Sequence, residues 1–104
     1  MSNIQLYSNE DFSVRTTQDA DGTVWFVAKD IAEALEYSLD GGMGRIFGHV
    51  PDCWKGRKRI QTIERGMQEM LCLTEQGVYF FLGRSDKPKA LPYQMWIAGE
   101  LFPT

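Results

Sequence analysis

The chain opens with short stretches in which apolar and polar residues alternate. Residues 4–7 and 12–15 follow this two-residue period, which is typical of β-strands with one buried face. The tetrapeptide Asp-Ala-Asp-Gly at 19–22 is typical of a turn, and Gly22 supplies a position where a positive φ costs little. Residues 23–27, Thr-Val-Trp-Phe-Val, then predict the returning strand of a hairpin.

From residue 28 the period changes from that of a strand to that of a helix. One face carries Ala28, Ile31, Ala34 and Leu35, and the opposite face carries Lys29, Glu33 and Glu36. This spacing predicts a short amphipathic helix over residues 28–36.

The next segment, 41–50, is poor in helix-forming residues. Its four glycines each cost a helix about 1 kcal/mol relative to alanine. Ile46, Phe47 and Val50 are nevertheless spaced to bury one side of a short helix. The polar and basic residues at 51–58 then predict a loop.

The second half of the chain predicts one more hairpin and two helices. Residues 59–63 alternate as a strand, Gly66 marks a turn and 68–73 supply the partner strand. Thr74 is placed to cap a buried helix that ends at Gly83. The last helix is predicted to start at Pro92 and to stop at Pro103. Its apolar residues lie on one face, and they are Tyr93, Trp96, Ile97 and Leu101.

Strands and helices therefore intermix without a regular βαβ alternation. We expect an α+β fold in which antiparallel hairpins pack with about four short helices. With 104 residues and 43% hydrophobic side chains, the chain is the size of one domain over residues 1–104, either a lone-domain protein or the N-terminal fragment of a longer one.

The location of the protein is predicted from what the sequence lacks. The longest unbroken apolar run, residues 78–82, is far shorter than the roughly 20 residues that cross a bilayer. The first residues do not have the pattern of a signal peptide, and Cys53 and Cys72 are too few for a disulfide framework. We therefore expect a cytoplasmic protein that does not bind membranes.

The distribution of charge is more informative than the net charge of −3. Residues 1–44 carry two basic and eight acidic side chains, and residues 67–104 carry three basic and four acidic ones. Residues 45–66 carry six basic and two acidic side chains. This local positive segment is either a solvated loop or a surface for an anionic partner such as nucleic acid.

Candidate catalytic and metal-binding residues are scarce. His49 is the only histidine, and Pro51 interrupts any helix that would pair it with Cys53 as metal ligands. The glycines at 41–48 match no dinucleotide or phosphate-loop motif, and we expect Cys72 to be a small buried hydrophobe. The sequence thus predicts no catalytic residue, no metal and no cofactor, and an enzyme is the less favoured class.

Binding is the remaining class of function. The cations crowded at residues 55–59 would contact phosphates from a flexible loop or hairpin, which positions a protein on DNA without reading bases. Trp54 beside them either stacks on a base or packs inward, and packing is the preferred interpretation. A second basic group consists of Arg84, Lys87 and Lys89.

Several motifs, in order, resemble the N-terminal domain of the Bro family, which occurs in prophage antirepressors and in large DNA viruses of insects. They are Val24-Trp-Phe-Val-Ala-Lys-Asp-Ile-Ala-Glu-Ala-Leu35, His49-Val50, Leu73-Thr-Glu-Gln-Gly-Val-Tyr79, Gly83-Arg-Ser-Asp-Lys-Pro-Lys89 and Trp96-Ile-Ala-Gly-Glu-Leu-Phe-Pro103. The resemblance spans about residues 10–104. It implies a DNA-binding module of a phage or viral transcription regulator, in which 28–36 and 41–50 form a helix-turn-helix-like pair. Members of the family tend to carry several charges in the second of these segments, whereas this chain offers only Arg45 before His49.

Two functions follow as hypotheses. The first is binding of double-stranded DNA, for which the expected contact residues are Arg45, His49, Lys55, Arg57, Lys58, Arg59, Arg65, Arg84, Lys87 and Lys89. The second is a protein-interaction module that captures a phage repressor or a host regulator without strong DNA binding. A homodimer is compatible with both hypotheses.

Overall fold

The computed structural model describes residues 3–8 and 12–101, and its centre is one antiparallel sheet of five strands in the order β1-β2-β3-β5-β4. The strands are β1 (Asn3–Ser8), β2 (Ser13–Gln18), β3 (Val24–Val27), β4 (Lys55–Thr62) and β5 (Gly66–Leu73). The helices are α1 (Ala28–Ala34), α2 (Met43–Phe47), α3 (Glu75–Arg84) and α4 (Ala90–Trp96), and a π-helical turn follows at Ile97–Leu101. The predicted α+β class, with antiparallel hairpins and short helices, is confirmed.

The turn between β2 and β3 forms as the sequence predicts. The backbone N–H groups of Asp19 and Gly22 donate to Thr23 O and Asp19 O, and Gly22 has a φ of 91°. Asp21 accepts from the Thr23 N–H at 2.9 Å, and this hydrogen bond lowers the pKa of the carboxyl group below its ordinary value.

The predicted loop at 51–58 is wrong from residue 55 onward. Asp52–Trp54 form a single 3-10 turn, and β4 then pairs with β5 from Lys55, opposite Leu73, to Thr62, opposite Gly66. The run Lys-Gly-Arg-Lys-Arg has no alternation of hydropathy, so only the pairing with β5 shows that it is a strand. The strand predicted over 59–63 ends at Thr62 because the pairing with β5 ends there, and the turn occupies 63–65.

The helix boundaries also differ from those predicted, each for a local reason. α1 ends before residue 36 because Glu36 adopts a φ of 67°, the left-handed conformation that closes many helices. α4 begins at Ala90, since Pro92 lies in its first turn, where the missing N–H removes no helical hydrogen bond. α3 runs one residue past Gly83, and its predicted cap is confirmed because Thr74 Oγ1 accepts from Gly77 N–H at 3.2 Å. Pro103, the predicted stop of the last helix, and the side chain of Leu101 lie outside the described residues.

The sheet is buried on both faces where β3, β4 and β5 meet. Phe26 and Leu73, which oppose each other in register, lie in the main core with the helices. Their neighbours Val27 and Cys72 lie with Ile60 in a second, smaller cluster, and all three are fully buried. Cys72 is thus the buried hydrophobe that the sequence predicts.

Among the described residues, no helix has the length and apolar composition needed to cross a membrane.

Candidate nucleic-acid interface

The basic residues of β4 point to two different sides of the sheet. Successive side chains of a strand alternate between faces, so Arg57 and Arg59 share a direction that Lys58 does not. Arg57 and Arg59 are exposed, whereas Lys58 is half-buried. Of the two predicted alternatives, a flexible loop and a hairpin, the structure has the hairpin, and its cations do not all lie on one side of the sheet.

Lys58 is engaged within the fold. Its ammonium lies 4.4 Å from the centre of the Trp25 ring and forms a 3.0 Å ion pair with Asp19. The indole Nε1 of Trp25 donates to the same carboxylate at 2.8 Å. These contacts join the β2–β3 turn to β4, so Lys58 has a stabilising role in this structure.

Lys55, at the start of β4, is engaged as well. Its Nζ donates to the carbonyl oxygen of Phe47 at 3.4 Å and lies 3.5 Å from Asp52. The remaining basic residues of the positive segment are exposed and form no ion pair within the described part of the chain. They are Arg45, Arg57, Arg59 and Arg65.

The turn between β4 and β5 is a well-braced structure. Thr62 Oγ1 accepts from Arg65 N–H at 3.1 Å and donates to Gly66 O at 2.8 Å. Gly66 has a φ of 69°, which favours glycine. Ile63 follows Thr62 and is fully exposed, at 104% of its reference area.

A cleft of about 410 Å³ separates this turn from the beginning of α1. Arg65 lines it from the turn, and Lys29 and Arg15 line it from the other side. A smaller cleft of about 190 Å³ adjoins it, shares Lys29 and Met70 with it, and extends to Arg57. Lys29 therefore lies beside the hairpin cations, although the sequence places it only on the polar face of a helix.

Arg15 is the less available of the two cations that sequence reasoning did not select. Its guanidinium donates from two nitrogens to the carboxylate of Asp30, at 2.9 and 2.8 Å, and its backbone N–H donates to the same group. The hydrogen bond and the charge of Asp30 raise the pKa of Arg15 above its ordinary value, against a smaller opposing effect of burial. No signal in the sequence pairs these two residues, which are 15 positions apart.

The segment at 41–50 is helical only over α2. A helix of these five residues is about 7.5 Å long, and Arg45 is its only basic side chain. Arg45 lies against Gly41, where any added side chain would collide with it. Because Met43 lines the smaller cleft with Arg57, α2 lies next to the hairpin. Base recognition from α2 would thus rest on one arginine.

The other predicted contact residues belong to the region around α3 and the connection to α4. Arg84 stacks on Phe80, 4.7 Å from the ring centre, and the exposed His49 lies 5.9 Å from the same ring. Lys87 lies over Tyr37 at 4.8 Å, and Lys89 pairs with Glu36 at 3.0 Å. Arg84, Lys87 and Lys89 therefore each contact a side chain of this region, and their role in DNA binding stays a prediction.

Trp54 packs inward. It is half-buried, and its ring lies 5.6 Å from that of Phe80. A Cβ at Gly77 would come within 2.8 Å of the Trp54 carbonyl oxygen, so the glycine allows α3 to approach this close. Packing, the preferred interpretation of Trp54, is confirmed.

The described residues contain no group of three or more histidine, cysteine and acidic side chains placed to hold a metal ion. Cys53 and Cys72 are both free; Cys53 is exposed and Cys72 is buried.

Comparison with known proteins identifies a family. The model of the BRO family, N-terminal domain, matches residues 13–103. An uncharacterised protein of Haemophilus influenzae is 28% identical over 99 residues, which cover 93% of this chain and 47% of that protein. A Bro-N domain-containing protein of Autographa californica nuclear polyhedrosis virus is 26% identical over an alignment 112 positions long, gaps included, which covers 93% of this chain and 34% of the viral protein. The chain therefore spans less than half the length of these relatives, and no solved structure matches it.

Proposed function

Since the chain belongs to the family of BRO N-terminal domains, we propose that it is the DNA-binding module of an antirepressor-like transcription regulator. In this proposal the module contacts duplex DNA through the β4–β5 hairpin. The observation that carries the proposal is a set of exposed arginines that form no ion pair with any described residue, on a chain whose net charge is −3; they are Arg45, Arg57, Arg59 and Arg65. A protein with excess negative charge approaches DNA only where such a local positive surface is available.

The contacts are mainly to phosphates. The side chains of Arg57 and Arg59 project from the same face of β4. Because the two residues are two positions apart along the strand, their α-carbons are roughly 6.5 Å apart. Successive phosphates of one DNA strand are separated by a similar distance, so the two guanidinium groups can reach neighbouring phosphates. Lys29 extends this basic surface beyond the hairpin. Binding of this kind positions the module on DNA with little sequence preference.

The test is fluorescence anisotropy of a labelled duplex pool at several salt concentrations. About four phosphate contacts predict a slope of about −3.6 for log affinity against log salt. Arg57→Glu/Arg59→Glu should abolish binding. The matched control is Lys87→Glu/Lys89→Glu, which changes the net charge equally on the connection between α3 and α4, and it should bind with less than threefold loss, a change of roughly 0.6 kcal/mol.

Two results would contradict this assignment. Equal losses in both charge-reversal variants would show that total charge, and not the hairpin, governs binding. Absence of salt-sensitive binding by a folded domain at low salt would favour the second candidate, the capture of a regulatory protein. The observation in favour of that candidate is the pair Leu91 and Met95, one turn apart on α4, which are 64% and 66% exposed.

A further inference from the structure

The tip of the β4–β5 hairpin carries an apolar side chain where turns ordinarily carry polar residues. Glycine, proline, asparagine, aspartate and serine dominate turn positions. Here the turn at 63–65 begins with Ile63, whose side chain is completely exposed, and Met67 nearby is 44% exposed. Exposure of a branched aliphatic side chain at such a position gains nothing for the fold.

The backbone of the turn that carries Ile63 is braced by its neighbours. The hydrogen bonds of Thr62 Oγ1 to Arg65 and Gly66 close the turn. The strands behind it are anchored by Ile60, which is fully buried in the second hydrophobic cluster. The backbone of the tip is therefore braced before any partner binds, which lowers the entropy cost of binding.

The groups around Ile63 suit an anionic partner. Arg65 is in the same turn, and Lys29 faces the turn across the larger cleft. Glu64 also lines this cleft, where the cations outnumber it. The exposed large apolar side chains of the hairpin are Ile63 and Met67, and their area is much smaller than the roughly 800 Å² that each partner contributes to a stable protein interface. Charge and area together favour DNA over a protein as the occupant.

We propose that Ile63 is a wedge that enters the minor groove of the bound duplex, partly unstacks one base step and kinks the DNA. Isolated aliphatic side chains with flanking arginines do this in DNA-bending proteins, and the kinks range from about 20 to 90°. The minor groove, roughly 6 Å wide, admits a single aliphatic side chain. The inference rests on the proposed function and adds to it that the module deforms the DNA it binds.

The test is energy transfer between dyes at the two ends of a duplex of about 18 base pairs, roughly 61 Å long, with flexible TA and CA steps at its centre. A kink of about 60° shortens the distance between the ends to about 53 Å. The wild-type protein should produce this shortening when bound. Ile63→Asn should bind DNA but leave its length unchanged, and Ile63→Met should retain the kink because it keeps an aliphatic wedge.

Leu91→Asn is the matched control, since it removes an exposed aliphatic side chain from α4, and it should kink DNA as the wild type does. Asparagine suits a turn, so the thermal unfolding midpoint of Ile63→Asn should match that of the wild type. Anisotropy measures DNA binding on the same samples and so separates the two proposals. Binding by the wild type without shortening of the DNA, or equal shortening by Ile63→Asn, overturns the wedge alone. Loss of the kink in Ile63→Met or Leu91→Asn also overturns the wedge, and absence of wild-type binding overturns both proposals.

Discussion

Lys58 and its neighbour Arg57 have different roles: Lys58 stabilises the fold, and we propose that Arg57 contacts DNA. Lys58 contacts Trp25 and Asp19, while Arg57 makes no ion pair within the described part of the chain. Lys58→Ala should lower the free energy of unfolding by about 1 kcal/mol through loss of the cation–π contact and the half-buried ion pair. The salt slope of DNA binding should stay unchanged.

Arg57→Ala should have the opposite effect, with unchanged stability and a salt slope smaller in magnitude by about 0.9. Urea unfolding measures the first quantity and anisotropy the second. A Lys58→Ala variant that loses DNA affinity as strongly as Arg57→Ala would show that Lys58 leaves Trp25 to reach the DNA.

The two thiols should react at very different rates. Burial raises the pKa of Cys72 from 9.0 to about 12, so its reactive thiolate is scarce at pH 8, whereas Cys53 is exposed. A chromogenic disulfide reagent at pH 8 should modify one thiol per native chain, and both thiols in denaturant. Because Cys72 lies in the second cluster with Ile60, rapid modification of both thiols in the native protein would mean that the hairpin opens easily.

At the scale of elements, the contact between α3 and the 3-10 turn depends on a missing side chain. Gly77→Ala adds a good helix former, yet its Cβ would lie 2.8 Å from the backbone oxygen of Trp54, which cannot move aside cheaply. We expect a loss of about 1–3 kcal/mol in the free energy of unfolding. A Cβ at Gly83, in the last turn of the same helix, would meet nothing within 4 Å.

Gly83→Ala is therefore the matched control, with an expected gain of about 0.5–1 kcal/mol from helix propensity. Thermal or urea unfolding distinguishes the two variants. Equal changes in the free energy of unfolding for both variants would mean that α3 does not pack as closely against the 3-10 turn as the 2.8 Å approach at Gly77 requires.

The hairpin is the element whose character depends most on its partner strand. β4 has a central run of polar and charged residues, and its partner β5 supplies Met70, Leu71 and Cys72. Pairing with β5 makes the run a strand and sorts its side chains by face. The same pairing directs Ile60 into the second cluster and Arg57 into solvent.

At the scale of the whole molecule, the two hydrophobic clusters on opposite faces of the sheet connect the proposed binding surface to the fold. The main core holds the helices against one face, and the second cluster holds the hairpin through Val27, Cys72 and Ile60. Lys29 follows Val27 by two residues and lines both clefts beside the hairpin. Through this arrangement Lys29 of α1 lines the same clefts as Arg65 and Arg57 of the hairpin, although they are distant in sequence.

Features with a local cause were predictable from the sequence by itself. The hairpin turn at 19–22, the helix that begins at Ala28, the cap at Thr74 and the burial of Cys72 each depend on residues a few positions apart or on intrinsic hydrophobicity. The family motifs were also recognisable from the sequence, because each is a short run of consecutive residues. The α+β class followed from the order of these elements.

Only the tertiary structure decided which cations are available and what lies beside them. The local sequence treats Lys55, Lys58 and Arg57 alike, and it carries no signal that places Lys29 near the hairpin. Strand pairing gives Arg57 and Lys58 opposite faces, and Lys58 is engaged by Asp19, 39 positions away. Lys55 is engaged by the backbone of Phe47, eight positions away. The physical reason is that the exposure and charge partner of a side chain depend on long-range packing, whereas strand and helix periods depend on near neighbours.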